Sequence, residues 1–351
     1  MLRRAGEPLA LETLEIEGPG REEVLVRIVA SGICRTDLDC CEAGTSGAAV
    51  LGHEGAGIVE EVGRSVTRVK PGDRVVLSYQ SCGRCAACRR GRPSNCVQFL
   101  RLNFGFERLD GTSAYAASGV RGHFFGQSSF ATCALATERN VVKVDRSCPL
   151  EILAPLGCGL QTGAATVFHA LAVGPGHSLA IFGVGAVGLS AVMAARLVEA
   201  DPIIAVDVRP RRLALALRLG ATHAIDPRRT SVRERIARIT GGGIDRVVEG
   251  TGDPQLTRSG AALLNREGRM ALLTGGASRD LTGGRRVLSV IQGDAVPQEF
   301  IPRLVELWRR GEFPFHRLLR FYPLAEVNRA MADLRLGRTV KPVLYLERGP
   351  R

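Results

Sequence analysis

Residues 179–207 read LAIFGVGAVGLSAVMAARLVEADPIIAVD. An apolar run enters Gly183-x-Gly185-x-x-Gly188, a helical stretch follows, and a second apolar run ends at Asp207. No other feature limits the fold as tightly, because strand, glycine turn, helix, strand and acid in this order describe a unit of a doubly wound parallel sheet. Further strands are expected at ATHAID, GIDRVVEG and GRMALLTG, with helices over RRLALALRLG and RRTSVRERIARIT. The competing reading is a tight strand–helix turn in some other α/β protein.

The glycines permit a sharp turn, close approach of a pyrophosphate and helix–strand packing, while the helix N-terminus offers free amides and a positive dipole end. Gly183, Gly185, Val187 and Gly188 are therefore candidate dinucleotide contacts. Asp207 lies where an acid meets a ribose hydroxyl, and its charge would repel a 2′-phosphate. NAD is expected over NADP. Arg209, Arg211 and Arg212 follow closely and argue the other way.

Residues 82–96 read CGRCAACRRGRPSNC, which places Cys82, Cys85, Cys88 and Cys96 in a C-x2-C-x2-C-x7-C pattern. A bacterial iron–sulfur motif has a shorter last gap followed by proline; here the gap is longer and Val97 follows. A structural zinc site with four thiolates tolerates that gap. Four free or disulfide-bonded cysteines without metal are the bland alternative. A closed zinc site folds a lobe and leaves no position for a reactant, so the chemistry is expected elsewhere.

Three other stretches hold candidate ligands: SGICRTDL with Cys34, LGHEGAG with His53 and Glu54, and PLGCGLQTG with Cys158. One histidine and two cysteines make a known catalytic zinc set with a fourth position open. Each residue alone would more often be an ordinary buried cysteine or a hydrogen-bonded histidine.

At 351 residues the chain suits about two domains. It has no export signal and no apolar run that spans a bilayer, so a cytoplasmic enzyme is expected. The net charge of +12 invites a nucleic-acid reading. Yet only Lys70, Lys143 and Lys341 are lysines, and the arginines are scattered without interleaved aromatics, so nucleic acid is not expected as a partner.

Together these motifs make the chain resemble the zinc-dependent medium-chain alcohol dehydrogenases along nearly its whole length. It is most similar to the NAD-dependent aryl- and benzyl-alcohol dehydrogenases, through FFGQSSFAT (124–132), PLGCGLQTGA (155–164), GDAVPQEFIPRLVELWRRGEFPF (293–315) and KPVLYL (341–346). The resemblance implies a Rossmann doubly wound parallel sheet plus a GroES-like β-barrel catalytic domain. Residues 1–159 and 292–351 would form the catalytic domain and 160–291 the coenzyme domain. The short strands EEVLVRIVASGI, AGIVEEVG and DRVVLS agree with this independently.

The resemblance also implies roles. Cys34, His53 and Cys158 would bind catalytic zinc; Cys82, Cys85, Cys88 and Cys96 would bind structural zinc. Glu54 would be the acid that approaches the metal during ligand exchange, Asp37 would orient His53, and Thr36 would begin a proton relay. Arg35 and Lys341 would face the pyrophosphate and Thr162 the nicotinamide. Ser78 would line the substrate pocket and leave room for an aromatic ring. The implied reaction is hydride transfer from a primary alcohol to NAD, with two zinc ions per chain, in a homodimer or homotetramer. A thiol-dependent formaldehyde dehydrogenase of the same family and a non-catalytic descendant of the fold are the alternatives. Two departures stand out. Asp39 occupies the position where many relatives end the relay with histidine, and the stretches 40–54 and 274–284 are short. Cys40, Cys41, Cys133 and Cys148 have no assigned role.

Overall fold

A computed structural model of the chain describes residues 1–115, 119–274 and 286–346. It divides into two compact units: Met1–Cys158, Val296–Val305 and His316–Arg351 form one, and Gly159–Ala295 and Glu306–Phe315 the other. Residues 306–315 thus group with the second unit, where the sequence suggested a single return to the first at 292. Trp308 and Phe313 gather around Phe315 there, with ring centroids 6.0 and 5.9 Å away. Among the described residues no helix is long and apolar enough to cross a membrane. The expected short stretch 274–284 lies, after Thr274, outside the described residues until 286.

Strands are numbered in chain order. The first unit holds β1 (Glu23–Gly32), β2 (Gly55–Val62), β3 (Arg74–Leu77), β4 (Cys133–Thr137), β5 (Val141–Lys143), β12 (Leu319–Pro323) and β13 (Lys341–Tyr345). Their order is β12-β13-β1-β2-β3-β5, with β4 also on β1. β1 is the organising strand. It pairs antiparallel with β2 over most of its length, with β4 through Glu23–Arg27 and with β13 through Ala30–Gly32. Its alternation works as the period-two rule requires: Val24, Val26 and Ile28 turn inward onto Val59, Val75 and Leu77, and Arg27 turns outward to Glu60.

The second unit holds β6 (Leu179–Phe182), β7 (Ile203–Val206), β8 (His223–Ile225), β9 (Ile244–Glu249), β10 (Leu264–Leu272) and β11 (Val287–Ser289). All neighbours are parallel, in the order β11-β10-β9-β6-β7-β8. The order reverses between β6 and β9, and such a switch point is where open α/β sheets bind ligands. Every residue of β6 and β7 is buried, as expected for a parallel sheet covered on both faces. β10 begins at Leu264, earlier than GRMALLTG suggested; Leu264 pairs with Ile244 before the register shifts and resumes at Arg269. The polar NREG between them hides the strand from periodicity.

Candidate active site and metal centres

Four sulfurs, those of Cys82, Cys85, Cys88 and Cys96, lie within 4.8 Å of one another. None of the ten cysteines is joined in a disulfide. Tetrahedral zinc with bonds near 2.3 Å separates its sulfurs by about 3.8 Å, and Cys82 Sγ lies 4.0 Å from Cys88 Sγ. Backbone amides point at the sulfurs: Cys85 N donates to Cys82 Sγ at 3.4 Å, and Cys82 N to Cys96 Sγ at 3.3 Å. Amides of Cys88 and Val97 hold the Cys85 thiol down to about 6. This pocket of amides suits thiolates around a cation, and the group fits zinc.

The second cluster assembles from three separated stretches of the first unit. Cys34, His53, Glu54 and Cys158 each bring one donor atom, all within 4.8 Å of one another. Cys34 caps the helix Arg35–Ala43, and Thr36 N donates to its sulfur at 3.3 Å. A helix N-terminus favours the thiolate. The Cys34 thiol is driven well below its usual range, first by a hydrogen bond from Cys158 and then by His53, while Cys158 keeps its proton.

Glycines bend the chain at two of the ligands. Gly52, at φ +92°, turns His53 inward, and a Cβ there would strike Phe130 N at 2.4 Å. Gly157 lies so close to β3 that a Cβ would meet Leu77 O at 2.0 Å. Cys158 follows directly and is held against the end of that strand.

His53 is fully buried. Its Nδ1 donates to Asp37 Oδ1 at 2.9 Å, and its Nε2 has no partner. A buried ring nitrogen without a partner is costly, and a cation held by the Cys34 and Cys158 sulfurs would remove that cost. Asp37 therefore holds the tautomer that presents Nε2 as a ligand. Asp37 Oδ2 also accepts from Cys34 N at 2.9 Å, so one carboxylate orients two ligands. Thr36 Oγ1 lies 3.4 Å from Cys34 Sγ. The donor set fits zinc with Cys34, His53 and Cys158 as ligands.

Lys341 is buried, with Nζ 2.8 and 2.9 Å from the two oxygens of Glu54. Arg35 is 73% exposed and its guanidinium pairs with Asp39 at 2.7 Å, so both side chains lie at the surface. Ser78 is fully buried, and its hydroxyl donates to Gly157 O at 2.7 Å instead of opening to a pocket.

Two residues escaped attention in the sequence. Gln127 is a buried bridge: its Nε2 donates to His53 O at 3.0 Å and Ser78 O at 3.1 Å, and its Oε1 accepts from Gly55 N at 3.0 Å. Phe125, in the left-handed region at φ +52°, stacks on the His53 imidazole at 4.5 Å. Phe124 meets the same ring edge-on, and the half-exposed Phe104 meets Phe125. The only sequence signal was a polar QSS embedded in the aromatic run FFGQSSF.

In the second unit Gly183 takes φ +84° after β6, and a Cβ on Gly188 would strike Gly183 O at 2.1 Å. Gly185 differs. A Cβ there would meet nothing nearer than Arg212 Nη1 at 3.8 Å, so the protein itself gives no steric reason for glycine. The space suits a bound pyrophosphate at the start of the helix Ala186–Leu197. Val187 lies in that first turn, and its carbonyl packs against Gly163, where a Cβ would come within 2.0 Å. Thr162 precedes that contact, and its hydroxyl lies 3.4 Å from Gln292 Oε1. Asp207 follows β7 and accepts from Val184 N at 3.0 Å and Arg209 N at 2.8 Å, with the Arg212 guanidinium 3.7 Å away. The residues fit a dinucleotide.

Residues 20–146 match the family described as alcohol dehydrogenase GroES-like domain, and residues 186–295 match the zinc-binding dehydrogenase family. Geraniol dehydrogenase of Castellaniella defragrans is 45% identical over 98% of this chain and 96% of its own. The crystal structure of an alcohol dehydrogenase zinc-binding domain protein from Burkholderia ambifaria aligns with a TM-score of 0.93 at 48% identity, over 99% of this chain and 97% of that one. Benzyl alcohol dehydrogenase of Acinetobacter calcoaceticus aligns with a TM-score of 0.91 at 43% identity, over 96% and 95%.

Proposed function

This chain belongs to the zinc-binding alcohol dehydrogenase family, and on that premise we propose that it oxidises a primary alcohol of the benzyl type to the aldehyde, with NAD as hydride acceptor and two zinc ions per chain. The observation that carries the reading is the His53 ring, with its unpartnered Nε2 on one side and Phe125 stacked on its face. Metal chemistry and an aromatic wall meet in one side chain, and an apolar site of this kind favours a ring over a short aliphatic alcohol. Benzyl alcohol and geraniol, substrates in the names of two relatives, share an unsaturated carbon beside the carbinol, which supports the same class.

Zinc would supply Lewis acidity and the dinucleotide would accept the hydride. The residues do the rest. Cys34, His53 and Cys158 hold three donors toward one point. Asp37 fixes the direction of two of them. Thr36, beside Cys34, would accept the hydroxyl proton while handing its own on toward solvent, as the alcohol gives up its hydride. Gln127 ties the backbone of His53 to that of Ser78, which in turn holds Gly157 and Cys158.

A panel of benzyl alcohol, geraniol and ethanol, followed by NADH absorbance with and without glutathione, tests the proposal. Higher kcat/KM for benzyl alcohol or geraniol than for ethanol, without thiol, is expected. A requirement for thiol, or preference for ethanol, would overturn it.

A further inference from the structure

The segment that carries Phe125 is held in a backbone conformation its residues do not favour. His123, Phe125 and Ser128 take φ of +62°, +52° and +55°, with Gly126 among them at +63°. Only glycine enters that region freely, so three side-chain-bearing residues there persist only where the surroundings over-determine them.

One buried carboxamide holds the middle of this stretch. Asn140 lies in the turn between β4 and β5 and is fully buried. Its Nδ2 faces three carbonyl oxygens: Gly126 O at 3.1 Å, Ser78 O at 3.3 Å and Phe125 O at 3.4 Å. Its Oδ1 accepts from Thr137 N at 2.8 Å and Thr137 Oγ1 at 2.9 Å. A backbone N–H can only donate, so Thr137 fixes which end of the carboxamide is oxygen and aims the NH2 at the carbonyls. The Asn140 carbonyl accepts from Ser78 N at 2.9 Å. Removing the NH2 would leave buried carbonyls short of a donor on both sides of the Phe125–Gly126 peptide bond. That peptide sets the direction of the Phe125 ring, whose centroid lies 4.5 Å from that of His53 with 27° between the planes.

We propose that Asn140 is a positioning residue for substrate choice: its carboxamide locks Phe125 and Gly126 in the left-handed region, so that the Phe125 ring stays on the His53 imidazole and offers an aromatic alcohol an apolar surface beside the metal ligand. Asn140 acts through Phe125 and not on the reactant. The proposal rests on the reading of the protein as an oxidiser of benzyl-type alcohols.

The test uses the full-length, zinc-loaded protein and compares kcat and KM for benzyl alcohol and ethanol. Asn140→Ala should lower the benzyl-to-ethanol ratio of kcat/KM about 10-fold or more, chiefly through the KM for benzyl alcohol. Ligand-observed NMR titration with benzyl alcohol, without NAD, should show the same loss of affinity. A smaller folded fraction scales both substrates alike, so the ratio separates positioning from stability. Asn140→Ser, which keeps one donor, should fall between wild type and Asn140→Ala, and it decides the matter if the alanine variant fails to fold. Phe125→Ala should lower the ratio by itself, and adding Asn140→Ala to it should change the ratio by less than about 3-fold, because the two residues act as one unit. An unchanged ratio in a folded Asn140 variant, or independent effects in the double variant, overturns the proposal. A wild-type protein that prefers ethanol would instead sink the underlying substrate reading, and this proposal with it.

Discussion

Ser78 Oγ donates to the carbonyl oxygen of Gly157 at 2.7 Å, and the next residue is the metal ligand Cys158. The hydroxyl therefore supports the site from behind. Ser78→Ala leaves a buried carbonyl without that donor, which costs about 1–3 kcal/mol. Chemical denaturation should show that loss, and zinc at the Cys34 set should be stripped faster by chelator. A variant with unchanged stability and unchanged metal retention would show that the bond is incidental.

The two metal clusters should fail in different ways. Elemental analysis is expected to give two zinc ions per chain. Cys34→Ala or His53→Ala should abolish turnover in a folded protein, because only that set leaves a position for a reactant. Cys85→Ala or Cys88→Ala should chiefly lower the melting temperature, because a closed site contributes folding free energy. Normal kcat in Cys34→Ala would refute the assignment.

His123 gives a pH dependence with a definite sign. It is buried, and burial lowers its pKa to about 4, with Arg108 adding to the effect. Its Nε2 accepts from Ala114 N at 3.1 Å, a bond only the unprotonated ring can make. The unfolded chain binds a proton near 6.5 and the native state does not, so stability rises with pH between 4 and 6.5. The contribution is fully present above 6.5 and is lost as pH falls toward 4, about 3 kcal/mol in all. Urea titrations at pH 7.5 and 5 should show the drop, and His123→Gln should reduce it. An equal drop in the variant would assign the effect to other groups.

Asp207 should give NAD a higher kcat/KM than NADP. Asp207→Ala should narrow the ratio by about tenfold, the value of one modest charge interaction. The Arg212 guanidinium, 3.7 Å from the carboxylate and beside Gly185, is then free to meet a 2′-phosphate. Arg212→Leu in that background should reverse the gain. An unmutated enzyme that prefers NADP would contradict the reading.

Legibility followed local signals. The glycine turn, the acid after β7 and the strands of the parallel sheet are all written in short contiguous stretches, and the structure places them where periodicity and spacing suggest. The two cysteine-rich sets were readable because metal chemistry limits residue types. The pairing of Lys341 with Glu54 was not, because a cation's sequence position does not say whether it meets a carboxylate nearly three hundred residues away. Ser78 was misplaced for the same reason: burial is a tertiary property. Phe125 stayed hidden because its left-handed backbone follows from its packing on His53 and Phe104, not from any residue preference.

The pairing of β1 with β13 bears on the order of assembly during synthesis. Ala30 stands opposite Tyr345, so the sheet of the first unit is closed by a strand translated after the whole second unit. The parallel sheet has all its strands well before that moment and can fold while the first unit waits. A ribosome-stalled chain that ends before Lys341 would already carry Cys34, His53 and Cys158, so every donor of that metal set is synthesised before the strand that completes the sheet beside it.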